Sequence, residues 1–303
     1  MTVDELDPSL APSLKRVPGI DLENPFWLWV IGNASRLSPG AKTDGVQRRV
    51  VAEDGARVRV FTPARPSGSA LLWIHGGGLV IGTARIDDRF CGETARDTGA
   101  IVVSVDYRLA PRHPFPAAHD DAYAAWSWLQ RHADELGVDP GRIAVGGQSA
   151  GGGLAAALVQ RLHDEGGAVA AQLLLCPMLD DRTAADRSLD ARKHLVWDNR
   201  SNLVGWRSYL GHEPGAAGEP AYAVPGRRED LTGLPPAWIY WSDIELFAAE
   251  DRAYADRLSA AGVAVTTVTL PDVAHGFEAW ASDTDVAKRL LSEARAWLGT
   301  TLA

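Results

Sequence analysis

The sequence predicts an α/β fold, an eight-stranded and mostly parallel sheet with an antiparallel start, helices on both faces and a helical cap. Three observations predict it. Apolar runs of strand length recur along the chain with amphipathic helical stretches between them, the alternation of a parallel sheet covered on both sides. The earliest runs meet instead at Asp54-Gly55, a favoured dipeptide of tight hairpins, so the sheet begins antiparallel. Two segments, residues 1–44 and 181–225, are rich in Trp, Pro, Arg and Gly and carry neither period.

In chain order, Val50 to Val60 holds two alternating runs joined at the turn, and Ala70–His75 and Ala100–Val105 follow as buried strands. Asp120–Ala133 is amphipathic and helical, Arg142–Gly146 is a strand, and Leu154–Gln160 is an Ala-rich helical run. Next come strands Gln172–Cys176, Ala237–Ser242 and Val263–Leu270, with helix Leu246–Ala260 after the second and a last helical stretch, Ala287 to Leu298. The second unpatterned segment falls between two strands, which is how a cap is inserted over a sheet edge. Residues 1–44 and 181–225 are therefore expected to form a lid, and 45–180 with 226–303 the core. Phe26, Trp27, Trp29, Trp197 and Trp206 are read as the lid's own small core, some of them lining a pocket beneath it.

A chain of 303 residues with 46% hydrophobic content can bury one large core carrying an insertion. Thirty basic against 39 acidic side chains give a formal charge of −9, with no basic cluster longer than Arg48-Arg49 or Arg227-Arg228. Nucleic acid and anionic membranes are poor partners for such a surface. Cys91 and Cys176 stand alone in ordinary segments, which points to neither a disulfide framework nor a cysteine metal site, and to a reducing cytoplasm. The first residues, MTVDELDPSLAPSLKRV, lack the basic-then-apolar order of an export signal. Ile143 to Gln160 is free of charge over a membrane-like length, but five glycines, a serine and two glutamines make it a strand, a turn and a helix.

That turn carries the chemistry. Gly147-Gln148-Ser149-Ala150-Gly151 is a G-x-S-x-G turn between a strand and a helix, where flanking glycines let the serine backbone bend sharply and leave its hydroxyl exposed. Ser149 is the expected nucleophile; its other reading is a cap of the following helix. His75-Gly76-Gly77-Gly78 ends an earlier strand, and residues without Cβ let backbone N–H groups approach one spot, so Gly77 and Gly78, with the N–H of Ala150, form the expected oxyanion hole. The phosphate-cradling patterns G-x-x-x-x-G-K-[ST] and G-x-G-x-x-G are lacking. Acyl transfer also needs a base and an acid that orients it. His275, in Ala274-His275-Gly276-Phe277, follows the last strand, and parallel topology delivers it to the same sheet edge as the serine. Among its rivals, His75 comes too early and is read as bracing the glycine loop; His113 is the other candidate base. His119-Asp120-Asp121 suits a helix start, where acids complement the dipole, better than a metal site.

The set HGGG (75–78), DYRLAPRHPFPAAHDD (106–121), GGQSAGG (146–152), LPPA (234–237) with RAYADRL (252–258), and AHGF (274–277) resembles the hormone-sensitive lipase-like family of bacterial serine esterases, family IV. The resemblance runs from about residue 50 to the C-terminus. It implies an α/β-hydrolase fold with a cap built from the N-terminus and a mid-chain insertion, hydrolysis of short-acyl carboxylic esters and no cofactor. Asp106 and Arg108 would brace the loop beside the site. The family's acid is usually an aspartate in a segment like LDPLRDE; counting between the LPPA and RAYA anchors places Glu245 there, with Asp243 and Asp272 as rivals. Asp243 would otherwise cap the helix near Leu246. Gln148 stands where the family often has Asp, and Leu79 where an aromatic is common, a change expected to reshape the pocket.

The expectation is a cytoplasmic carboxylesterase with a Ser149-His275-Glu245 triad, taking a small-molecule ester. Amidase, lactonase or carbamate hydrolase action would use the same machinery. A non-catalytic receptor on this fold would lack a working base. The last helical stretch, with the family likeness, suggests a homodimer.

Overall fold

The computed structural model describes residues 5–17, 22–24, 30 and 40–303. Phe26, Trp27 and Trp29 lie outside the described residues. Strands β1 (Val46–Glu53) and β2 (Ala56–Pro63) form the expected hairpin. Its corner puts Asp54 at φ 50° and Gly55 at φ 79°, the left-handed pair that a two-residue hairpin turn requires. In chain order there follow β3 (Ala70–Ile74), α1 (Asp88–Thr98), β4 (Ile101–Val105), α2 (Ala117–Arg131), β5 (Ile143–Gln148) and α3 (Ala150–Asp164). The chain continues through β6 (Ala171–Leu175), α4 (Asn199–Leu210), β7 (Ala237–Ser242), α5 (Ala248–Ala260), β8 (Val265–Leu270) and α6 (Asp285–Thr301).

The eight strands make one sheet in the order β1-β2-β4-β3-β5-β6-β7-β8. Pairing is antiparallel for β1/β2 and β2/β4 and parallel from β4 to β8. Period-two alternation along the buried strands builds a core on each face. Leu71, Trp73, Leu173 and Tyr240 pack with Cys91, Leu290 and Leu298 on one side. Leu72, Ile74, Val145 and Ile239 pack with Ala122, Leu158 and Leu258 on the other. β3 is the strand from which the chain first steps one way to β4 and then the other way to β5. At such a switch point two loops diverge above the carboxyl ends and leave a crevice between them. The glycine loop follows β3 and the serine turn follows β5, so the order of strands alone makes these two motifs neighbours.

Helix α3 begins at Ala150 rather than Leu154. Three successive glycines are weak helix formers, yet tertiary packing overrides propensity here. A Cβ on Gly151 would lie 2.0 Å from the Ile74 carbonyl oxygen, and one on Gly153 2.0 Å from that of Met178. The charge-free stretch Ile143 to Gln160 is thus β5, the turn and most of α3. No helix among the described residues is long and apolar enough to cross a membrane. On α6, the side chains of Ala287, Leu290, Leu291, Ala294 and Leu298 are buried in the core on one face of the sheet. Residues 181–225 contain no strand among their described residues; they hold a short helix, Asp181–Ala185, and α4.

Candidate active site

Ser149 sits between β5 and α3 with φ 55° and ψ −123°, a conformation an L-residue rarely adopts. Its backbone is pinned on both sides: the N–H donates to Leu175 O at 2.8 Å, and the carbonyl accepts from Gly153 N at 3.0 Å and Met178 N at 2.9 Å. Gly147 is required because a Cβ there would stand 2.2 Å from Gly151 O. The side chain makes no capping hydrogen bond to α3, so the helix-cap reading of this serine does not hold. Its hydroxyl instead donates to His275 Nε2 at 2.8 Å.

His275 lies in the loop after β8 and its Nδ1–H donates to Glu245 Oε2. Bonding of Nδ1 to a carboxylate selects the tautomer whose Nε2 accepts from Ser149. Glu245 occupies the turn between β7 and α5, and its other oxygen accepts from Ser242 N at 3.0 Å. Ser242 Oγ donates to Val273 O at 2.6 Å, tying the turn that carries Glu245 to the loop that carries His275. Phe247 meets the imidazole edge-on, with centroids 5.2 Å apart, and limits its rotation. The rival acids are elsewhere. Asp243 pairs with Arg252 at 2.7 Å on the surface, and the helix it was read as capping starts later, after Phe247. Asp272 offers its backbone carbonyl to Asp7 N at 2.7 Å.

A cavity of about 200 Å3 opens over the serine, lined by Ser149, His275, Gly77, Gly78, Trp197 and Trp280 among others. Gly77 at φ 118° and Gly78 at φ 59° need the freedom that only glycine has. The Gly77 carbonyl accepts from Val80 N at 3.1 Å and Ile81 N at 3.0 Å, which fixes the loop. A Cβ on Gly78 would stand 2.0 Å from the Trp197 ring. Ala150 is the first residue of α3, so its backbone N–H belongs to the positive end of a 15-residue helix. Trp206, by contrast, is buried on α4 beside Tyr209, packed into the core that also holds Ala150 and Leu154. Leu79 packs there too, beside Ala150, Trp206 and Tyr209, rather than among the residues lining the cavity. Trp280 was not anticipated. Its indole N–H donates to the His275 carbonyl at 3.0 Å, and its position five residues after the histidine was the available signal.

His75 is buried with its ring stacked on Tyr107, centroids 4.2 Å apart, and burial pushes its pKa down to about 4. It braces the glycine loop through Nδ1, 2.7 Å from Gly76 O. His119 is likewise buried, is pushed down to about 4 and stacks on Tyr222, while His113 is exposed. Asp106 receives Arg57 at 2.9 Å and Arg108 pairs with Asp121 at 2.8 Å, as braces of the adjoining loop. Among the described residues the one trio close enough to hold a metal ion is Cys176, Glu245 and His275, with ligand atoms within 4.8 Å of one another. Two of those three are bonded to each other, and burial raises the Cys176 thiol pKa well above its usual value, which disfavours the thiolate a metal needs.

The profile of the family described as alpha/beta hydrolase fold matches residues 71–279. The chain is 39% identical over 225 residues to esterase LipI of Mycobacterium tuberculosis, covering 72% of this chain and 68% of that protein. It is 37% identical over 249 residues to carboxylesterase NlhH of the same species, covering 77% and 75%. A solved structure named bacterial heroin esterase superposes with a TM-score of 0.89 at 38% identity, over 100% of both chains. With this sheet order, this serine turn and these esterase relatives, the chain is a carboxylic ester hydrolase and belongs to the hormone-sensitive lipase-like branch of the alpha/beta hydrolase family.

Proposed function

We propose that the chain hydrolyses short-acyl carboxylic esters through an acyl-enzyme on Ser149. His275 takes the hydroxyl proton as Oγ attacks the ester carbonyl, and Glu245 holds the imidazole tautomer and stabilises the imidazolium. The N–H groups of Gly77, Gly78 and Ala150 receive the oxyanion. His275 then protonates the departing alcohol, and a water deprotonated by His275 attacks the acyl-enzyme to release the acid and restore the serine. Residues 1–44 and 181–225 act as the cap, which fits the presence of Val17, Leu22 and Trp197 around the cavity. The observation that carries the reading is the unbroken hydrogen-bonded line from Ser149 through His275 to Glu245 at the floor of that cavity. Two aromatic walls and a volume of about 200 Å3 favour a small acyl group. A cytoplasmic location is part of the proposal and rests on Cys91 and Cys176 being free and buried.

The test is hydrolysis of p-nitrophenyl esters from acetate to dodecanoate by wild type and Ser149→Ala in parallel. Activity is expected to concentrate at acetate to butyrate and to vanish in the variant. Turnover by Ser149→Ala at the wild-type rate overturns the nucleophile; a well-folded wild type inert toward every ester moves the assignment to amide or lactone substrates, or to a receptor.

A further inference from the structure

The segment carrying the nucleophile and the segment carrying the base are joined a second time, away from their reacting atoms. Gln148, immediately before Ser149, donates from Nε2 to Glu278 Oε1 at 2.7 Å across 130 residues of chain. Glu278 follows His275 on the short helix Phe277–Trp280, and both partners are buried. The Gln148 amide is also wedged between two glycines. A Cβ on Gly276 would stand 3.0 Å from its Nε2, and a Cβ on Gly76 3.0 Å from its Oε1. One side chain therefore touches the glycine loop after β3, the serine turn after β5 and the histidine loop after β8. The ester chemistry above gives neither Gln148 nor Glu278 a proton or a bond to handle. Glu278 Oε1 also receives the Cys176 thiol at 3.9 Å, a weaker contact, so losing the Gln148 bond leaves two buried polar groups short of a partner, which is costly.

We propose that Gln148 and Glu278 are positioning residues for ester hydrolysis, a hydrogen-bonded clamp that fixes the Ser149-to-His275 spacing and holds the glycine loop against both. The proposal rests on the assignment of Ser149 and His275 as nucleophile and base. Reacting groups held about 1 Å out of place lose on the order of 10²-fold in rate. The clamp therefore acts on kcat; Gln148 also lines the cavity whereas Glu278 does not, so the split between kcat and KM is read on Glu278.

The experiment is a double-mutant cycle on p-nitrophenyl acetate with Gln148→Leu, Glu278→Leu and the pair together, beside Glu278→Gln and Ser149→Ala, each checked for folding by circular dichroism. Each leucine variant is expected to lower kcat by about 10–100-fold, and Glu278→Leu, outside the cavity lining, to keep KM within about twofold. The pair is expected to fall no more than about threefold below the worse single, because residues acting as one unit are not additive. Glu278→Gln keeps an acceptor oxygen for Gln148 and is expected to stay within about threefold of wild type. The proposal is overturned by leucine variants that fold and keep wild-type kcat, by losses that multiply in the pair, or by Glu278→Gln falling as far as Glu278→Leu. Where Gln148→Leu does not fold, the comparison of Glu278→Gln with Glu278→Leu decides alone. Turnover in Ser149→Ala marks failure of the underlying assignment instead.

Discussion

At the scale of single residues, the site depends on which carboxylate reaches the imidazole. Glu245 does so with one oxygen while Ser242 N–H holds the other, whereas Asp243 points to Arg252 at the surface. Glu245→Gln replaces the acceptor that fixes the histidine tautomer, so kcat is expected to fall by up to on the order of 10⁴. Asp243→Asn removes only an exposed ion pair and is expected to stay within about twofold of wild type. Steady-state kinetics of the two variants side by side check this, and the reverse ranking reassigns the acid. A glutamate serves here because its longer arm is met by a turn between β7 and α5 that the Ser242 bonds hold in place. Ser149 and His275 were legible from short motifs alone, since each motif describes its own backbone turn. Glu245 was legible only by counting between two distant anchors, because nothing in SDIELFAAED distinguishes one acid from the next.

At the scale of elements, α5 grips the point where the chain leaves β6 for the inserted segment. Glu250 Oε1 accepts from Leu179 N at 2.7 Å and Asp180 N at 3.2 Å, and its other oxygen meets the Thr183 hydroxyl. Burial outweighs those hydrogen bonds and pushes its carboxyl up to about 8. An unfolded glutamate titrates near about 4.3, so the folded state holds this proton more tightly. The group's contribution to stability is fully present below the unfolded value and is lost as pH rises through about 8. Glu250→Gln keeps an acceptor and removes the titration. The Tm of the variant relative to wild type is therefore expected to climb between about pH 5 and 8, by up to about 1.4 kcal/mol of stability per pH unit. Thermal melts at four pH values test this, and a difference that stays flat with pH contradicts it.

At the scale of the whole molecule, the sheet separates two cores with different duties. The face carrying α2, α3 and α5 lies against the inserted segment, while the other face is closed by α1 and α6. Leu298 is fully buried on that second face. Leu298→Ala is expected to cost about 2–5 kcal/mol through lost transfer energy and a residual cavity. The kcat/KM of the folded variant is expected to match wild type, because the carboxyl-end crevice is built on the parallel strands themselves. Denaturant melts and ester kinetics on one preparation read both quantities; a matching drop in kcat/KM shows instead that the two faces are coupled.

The sequence by itself determined the apolar runs of strand length, the antiparallel start at Asp54-Gly55 and the two glycine-rich turns, because all of these are written in residues close together along the chain. Tertiary structure decided what depends on strand order. It made Trp197 and Trp280 walls of the cavity and left Trp206 a core residue, although composition treats the three alike. It drew Gly151 and Gly153 into α3, because carbonyls of Ile74 and Met178 leave no room for a side chain there. And it brought Gln148 to Glu278, a contact set by packing β5 and β8 on either side of β6 and β7, for which 130 residues of intervening chain hold no local signal.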